Sequence, residues 1–322
     1  MNSLKASLLV IAYNSASYLD RCLSSILSQD GASFEVIIVL DPSSDGSESL
    51  ALSYKEKDDR VKVIINEKRL GLGLSRLRAM EEAEGEYFSF VDADDYLAPN
   101  YLKTLIDTMD SSGADICNCS YYHIKKGNKI TRDGWGRNRT LPHDKAIQAY
   151  LYDAYIRGFL WNKMYRREKI LDDESLMFTV YQDYPFEDIG LNLSFFQKAN
   201  KVISIKDPLY YYDESNVGST THSLRPVRAQ RHLFVWGLLR YYLEHVKDAK
   251  GVKAWFKANK RYLLSLWFDL HLDKKHGANK DYIKEVKKDF KYLRKNKAPL
   301  KEHWGYPKVE MAEASIIKIK KK

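Results

Sequence analysis

Three carboxylates stand almost side by side at Asp92, Asp94 and Asp95, directly after the apolar run Tyr87-Phe88-Ser89-Phe90-Val91. Like charges this close repel one another, so such a cluster gains little unless a cation neutralises it. Hard divalent cations such as Mg²⁺ or Mn²⁺ take oxygen ligands, commonly one or two carboxylates together with phosphate oxygens. The preceding run is β-like, and in open α/β sheets ligands bind beyond the carboxyl ends of the strands. The cluster therefore reads as a metal and diphosphate site at the mouth of a sheet. A simpler use is capping: Asp94 or Asp95 could cap the helix that Pro99 opens, with Ala98-Pro99-Asn100-Tyr101-Leu102 as its first turn. A cap needs only one carboxylate, and here there are three.

The elements that would position this cluster follow from periodicity. Strands are expected at Leu8 to Ala12, Phe34 to Leu40, Val61 to Ile65, Tyr87 to Val91 and Ala114 to Tyr121. Between the first two, Tyr18, Leu19, Cys22, Leu23, Ile26 and Leu27 share one helical face. Such βαβ alternation predicts an α/β fold with a mostly parallel sheet flanked by helices. Turn formers mark the boundaries: Asp41-Pro42-Ser43-Ser44-Asp45-Gly46 follows the second strand, and Gly71-Leu72-Gly73 precedes the third helix. Residues 123 to 221 are less regular and rich in Tyr, Trp and Asp. From about 223 the pattern turns helical and basic, as in Leu233 to Val246 and Ala254 to Leu272.

Composition bounds the class. A chain of 322 residues with 44% hydrophobic and 30% charged residues is an ordinary globular protein, large enough for one big domain or two smaller ones. Its three cysteines, Cys22, Cys117 and Cys119, have no disulfide-framework or zinc spacing, which points to a reducing cytoplasm. The run Leu8-Leu9-Val10-Ile11-Ala12 is too short for a membrane span and has no cleavage pattern after it, so it reads as a first strand. The net charge of +9 is concentrated late, ending in Ile316-Ile317-Lys318-Ile319-Lys320-Lys321-Lys322. A basic tail with interleaved Ile suits an anionic membrane surface, basic patches also attract nucleic acid, and a solvated terminus is equally compatible. No nucleic-acid module is present, so no nucleic-acid partner is expected.

In order, the segments Leu8 to Asn14, Glu35 to Asp45, Gly71 to Arg76, Ala83 to Tyr87 with Asp92-Ala93-Asp94-Asp95, Trp161-Asn162-Lys163 and Glu187-Asp188 resemble the inverting glycosyltransferases of family 2, which have the GT-A fold. The resemblance spans about residues 4 to 221. It implies a GT-A nucleotide-sugar-binding and catalytic domain over 1–221, followed by a helical basic region over 222–322 that serves an acceptor or a membrane surface. It further implies transfer of a sugar from a nucleotide-sugar donor to a hydroxyl of a glycan or lipid-linked acceptor, in the cytoplasm or at the inner face of the cell membrane. An oligomer is compatible with all of this.

The same resemblance distributes roles. Ala12, Tyr13, Asn14 and Asp41 would hold the base, and an Asp can accept the imide N–H of uracil, which favours a UDP-sugar. Arg76 would contact ribose or phosphate with its planar fork. Asp92 and Ala93 would line the donor, and Asp94 would ligate Mn²⁺ or Mg²⁺. Asp188, at the start of an expected helix Ile189 to Gln197, would be the base that deprotonates the acceptor, with Glu187 beside it. Trp161 would stack on an acceptor sugar. Gly218-Ser219-Thr220-Thr221-His222 would form a flap, with His222 at a phosphate or the metal. Where the family has Pro, Asp-Asp-Gly, Asn and Gly, this chain has Ala12, Leu40-Asp41-Pro42, Leu77 and Ala79; these departures fall on base and sugar recognition. Two other classes fit part of the chain. Gly71-Leu72-Gly73 hints at a dinucleotide-binding oxidoreductase but lacks the third glycine and the ribose-binding acid. A non-catalytic nucleotide- or membrane-surface-binding protein would use only the acidic cluster and the basic tail.

Overall fold

Apolar runs without alternation belong to strands buried on both faces, and β1 (Ala6–Ala12) and β2 (Phe34–Leu40) are buried along their whole length. With β3 (Val61–Ile65) and β4 (Tyr87–Asp92) they form a parallel core in the order β3-β2-β1-β4. The structure, a computed structural model, describes residues 4–125, 129–133, 138–151, 156–171 and 187–216, with a few isolated positions between 271 and 287.

Alternation along β1 sends successive side chains to opposite faces. Leu8, Val10 and Ala12 join the core that holds Leu19, Cys22, Leu23 and Ile26 of α1 (Ala16–Leu27), Ala51 of α2 (Ser47–Lys57) and Leu102 and Leu105 of α4 (Tyr101–Ser112). On the other face α3 (Gly71–Glu82) packs against β1 and β2. The sheet is thus covered by helices on both sides, as the βαβ pattern predicts.

Beyond β4 the sheet becomes mixed. Its second half contains β5 (Tyr96–Leu97), β6 (Ile116–Lys125), β7 (Lys129–Asp133), β8 (Arg139–Pro142), β9 (Lys163–Arg166) and β10 (Lys201–Asp213). Short β9 lies antiparallel between β4 and β6, while β10 runs parallel to β6 and carries β5 and β8 antiparallel along its length. Helices α5 (His143–Leu151), α6 (Arg167–Leu171) and α7 (Glu187–Lys198) intervene, and α7 packs on α3, α5 and α6.

The chain divides into two compact units at the step from Asn216 to Val217. In the second unit the isolated described positions, Asp281 and Lys284 among them, are helical. The segment Leu233 to Val246, nearly all of Ala254 to Leu272, the loop Gly218 to His222 and the tail Ile316 to Lys322 lie outside the described residues. Among the described residues no helix is long and apolar enough to cross a membrane. All three cysteines are free and buried, and burial pushes the Cys119 thiol up to about 12.

Gly85, in the turn before β4, lies against β1. Its N–H donates to Ser7 Oγ at 2.9 Å, and a Cβ built on it would meet the Ala6 carbonyl carbon at 2.5 Å and the Ser7 nitrogen at 2.6 Å. Both obstacles are backbone atoms of a fully buried strand, so neither can move aside cheaply. Gly85→Ala is expected to destabilise the fold by about 1–3 kcal/mol, the usual range for overpacking. A thermal melt unchanged from the parent protein would refute that.

Candidate active site

Strand register gathers the loops that matter. Ala12 pairs with Leu40 and Ile11 with Asp92, so the chain leaves β1, β2 and β4 at neighbouring points on the carboxyl edge. In the order β3-β2-β1-β4 the connections reverse direction between β1 and β4, which is where open α/β sheets hold ligands. Ala12, Tyr13, Asn14, Asp41 and the acidic turn therefore share one rim.

The three acids of that turn have different surroundings. Asp92 is partly exposed and pairs with the buried Arg76, whose Nη2 lies 3.2 Å from Asp92 Oδ1. Asp94 accepts from Asn216 Nδ2 at 2.9 Å, and its backbone carbonyl accepts from Arg21 Nη2 at 2.8 Å. Burial, then the neighbouring Asp92 charge, raise the Asp94 pKa. Asp95 is fully buried; its Oδ2 accepts from the Tyr210 hydroxyl at 2.8 Å and its Oδ1 from the Asp213 N–H at 2.8 Å. Burial and the two neighbouring carboxylates push its pKa well up. Tyr210 completes the arrangement by accepting from the Asp92 N–H at 3.0 Å. Helix α4 has Asn100 at its N-cap position, without a capping side-chain hydrogen bond, so the capping expectation for Asp94 or Asp95 fails. Asp95 instead ties the acidic turn to β10.

The base-side loops are tied to each other. Asn14 adopts φ 46°, a left-handed conformation that Asn tolerates better than most residues. Its N–H donates to Ser43 Oγ at 3.1 Å and its Oδ1 accepts from the Ser44 N–H at 3.0 Å, joining the β1 and β2 loops. Tyr13 is exposed, with the Arg69 guanidinium 4.5 Å from its ring centre. Ala12 is buried, and its carbonyl accepts from the Asp41 N–H at 3.1 Å. Asp41 itself turns inward. Its carboxylate accepts from Asn66 Nδ2 at 2.8 Å, the Leu70 N–H at 3.0 Å and the Gly71 N–H at 2.8 Å. In this arrangement Asp41 anchors the N-terminus of α3, the helix that carries Arg76, and its own N–H ties it to Ala12 at the end of β1.

The acceptor-side expectations divide. Trp161 is 4% exposed: Phe159, Tyr210 and Tyr212 stack on it at 4.7, 4.5 and 5.4 Å, and Tyr121 meets it edge-on at 4.8 Å. No open ring face remains for a sugar, so the stacking expectation is corrected: Trp161 is packing beneath the acidic turn, next to the same Tyr210 that holds Asp95. Its neighbour Lys163 is fully buried, and its ammonium donates to the carbonyls of Arg157 and Phe159 and to Asn162 Oδ1. Three acceptors offset the desolvation of that charge and fold the 157–162 loop around it.

Asp188 lies in the first turn of α7, one residue after Glu187, as the Glu-Asp motif and the expected helix require. Burial, then the Tyr101 phenol, push the Tyr165 pKa well up; the Arg76 guanidinium opposes the rise and Asp188 adds a smaller part. Tyr165 donates to Asn192 Oδ1 at 2.8 Å, one turn along α7. His222 lies outside the described residues, as does the Glu187 side chain. Tyr210, Asp213, Asn216 and Arg21 escape sequence reasoning as parts of this site. The run Tyr210-Tyr211-Tyr212 is conspicuous, but only the fold shows that one of its hydroxyls meets the acids.

A divalent cation fits this donor set. Among the described residues no group of three or more His, Cys, Asp or Glu forms a ready-made metal cage. Cations that work with diphosphates commonly take one or two carboxylates and leave the remaining positions to phosphate and water. Asp94, raised by burial and by Asp92, carries the unfavourable charge that such a cation would offset.

Comparison with known proteins bears on the fold and the family. The Staphylococcus aureus TarS 1-349 structure in complex with UDP-GlcNAc superposes with a TM-score of 0.59 over 90% of this chain and 92% of that one, at 19% identity. The mannosyltransferase PcManGT from Pyrobaculum calidifontis, in complex with GDP-Man and Mn²⁺, gives 0.57 over 92% and 82%, at 16% identity. These likenesses establish the GT-A type of fold. Among curated relatives, the putative glycosyltransferase EpsH of Bacillus subtilis is 34% identical over 75% of this chain and 68% of its own length. The cholesterol galactosyltransferase of Borreliella burgdorferi is 30% identical over 68% of this chain and 63% of its own length. The model of glycosyl transferase family 2 matches residues 7–172, a stretch that holds β1, the β2 turn, Arg76 and the whole acidic turn. On that match and the likeness to EpsH, the chain belongs to glycosyl transferase family 2.

Proposed function

We propose that this protein is a metal-dependent, inverting glycosyltransferase that moves a sugar from a nucleotide-sugar donor, with a UDP-sugar preferred, to a hydroxyl of a glycan or lipid-linked acceptor. The observation that carries the reading is the acidic turn at the switch point of the sheet, where Asp92 pairs with Arg76 of α3, together with a second carboxylate, Asp188, in the first turn of α7, which packs on α3. Support for the donor class and the metal comes from TarS with UDP-GlcNAc and PcManGT with GDP-Man and Mn²⁺. The catalytic machinery belongs to a domain ending near residue 221. The basic region after it is assigned to the acceptor or to an anionic membrane surface.

The loop Ala12-Tyr13-Asn14 receives the base, with Tyr13 offering an exposed ring. Arg76 fixes Asp92 against the ribose side of the donor. Asp94, with Asp92 beside it, would hold the cation, whose chemistry when bound is to offset the negative charge gained by the departing diphosphate. Asp188 takes the proton of the incoming hydroxyl. The acceptor oxygen bonds to the anomeric carbon as the bond from that carbon to the diphosphate oxygen breaks, and configuration inverts. The proton on Asp188 then passes to water.

A screen of nucleotide sugars for donor hydrolysis, with and without Mn²⁺, tests this reading. Hydrolysis of a UDP-sugar is expected with the ion present and none after chelation. Turnover that survives chelation would remove the metal from the reading. Failure to turn over any nucleotide sugar with Mn²⁺ supplied would remove the transferase chemistry.

A further inference from the structure

Asn216 has no part in the motifs, yet it ends a turn fastened to the acidic cluster at several points. The Asp213 N–H donates to Asp95, and Asp213 Oδ1 accepts the Ser215 N–H at 2.8 Å, which closes the turn. The Glu214 N–H donates to the Ile124 carbonyl at 3.0 Å on neighbouring β6. Arg21, reaching over from α1, donates from one nitrogen to Asp213 Oδ2 at 2.7 Å and to the Asp94 carbonyl at 2.8 Å. Its guanidinium also rests 4.5 Å from the Tyr96 ring centre. These contacts hold the turn and the Asp94 backbone in one frame. Out of that frame the Asn216 amide donates to Asp94 Oδ2 at 2.9 Å.

Such an amide engages one oxygen of the carboxylate and so restricts the rotation of the group, which sets how the carboxylate faces a cation. Ligating carboxylates are usually oriented by hydrogen-bonding partners of this kind, and losing one typically weakens metal affinity ten- to a hundredfold.

We propose that Asn216 is a positioning residue for the metal ligand: its amide holds the Asp94 carboxylate in one orientation, and the Arg21–Asp213 brace sets where that amide stands. This rests on the assignment of Asp94 as a ligand made above. The test uses the full chain, Asn216→Ala, and Mn²⁺ alone as probe, with binding read from the electron paramagnetic resonance signal of the free ion. Mn²⁺ affinity is expected to fall about ten- to a hundredfold. In turnover the apparent KM for Mn²⁺ should rise by a similar factor, while kcat recovers at saturating metal. A purely structural role would lower the thermal midpoint and leave that split unmoved. Asn216→Ser, too short to reach Asp94 but suited to a turn, should reproduce the weakening and covers a failure of the alanine variant to fold. Unchanged Mn²⁺ affinity in both variants, with affinity lost in Asp94→Ala, would overturn the role of Asn216 and leave the ligand assignment standing. Unchanged affinity in Asp94→Ala as well would remove the ligand assignment itself.

Discussion

Asp188→Asn is expected to lower kcat for sugar transfer by about 10²- to 10⁴-fold, the usual contribution of a positioned general base. The substitution keeps shape and hydrogen-bonding capacity but removes the group that accepts the proton. Donor binding should be unaffected, because the proposed donor site lies at the β1, β2 and β4 ends and Asp188 belongs to α7. The measurement is steady-state transfer alongside donor affinity and a thermal melt. Full transfer activity in a folded variant would show that another group takes the proton. A loss confined to donor affinity would move Asp188 from the acceptor side to the donor side.

Asp94→Ala should be nearly as damaging and should leave a different signature. Removing one group that stabilises developing charge commonly costs about 10²- to 10³-fold in kcat, and here Mn²⁺ dependence should disappear with it. Stability should move the other way or not at all. Asp94 is a partly buried carboxylate held at a raised pKa by burial and by Asp92, so deleting it relieves repulsion in the metal-free protein. A metal-free melting temperature equal to or above that of the parent is expected, the pattern seen where a site is strained for function. A large drop would mean that the Asn216 and Asp94 contacts carry more of the fold than of the chemistry.

The parallel half of the fold is legible in the sequence because its strands are buried on both faces. Leu8 to Ala12 and Phe34 to Leu40 are uninterrupted apolar runs, and the Asp-rich break after Val91 marks a strand end. The second half is harder to read. Four-residue β9 begins with Lys163, and a fully buried lysine is unreadable as core until three oxygen acceptors are seen around it. Trp161 is misleading for a related reason: an aromatic residue next to Asn162 and Lys163 resembles a sugar platform, but it is stacked on by residues 49 and 51 positions later, Tyr210 and Tyr212. Asp41 is expected from the sequence to hold the base, whereas the donors that surround its carboxylate come from 25 to 34 positions away and leave no local trace. Roles that depend on strand ends were open to inspection; those that depend on long-range partners were not.

The bond between Tyr210 and Asp95 spans 115 residues, and that between Asp213 and Asp95 spans 118. A ribosome releases the acids long before it releases the residues that hold them. Domains form from the N-terminus during synthesis, so the parallel core can assemble while Asp95 still lacks both donors. Without them a buried carboxylate must either take up a proton or stay in water, so the acidic turn reaches its final form only once β10 arrives. The family match ends at residue 172, so a fragment trimmed to it would contain the acidic motif and lack the strand that closes it.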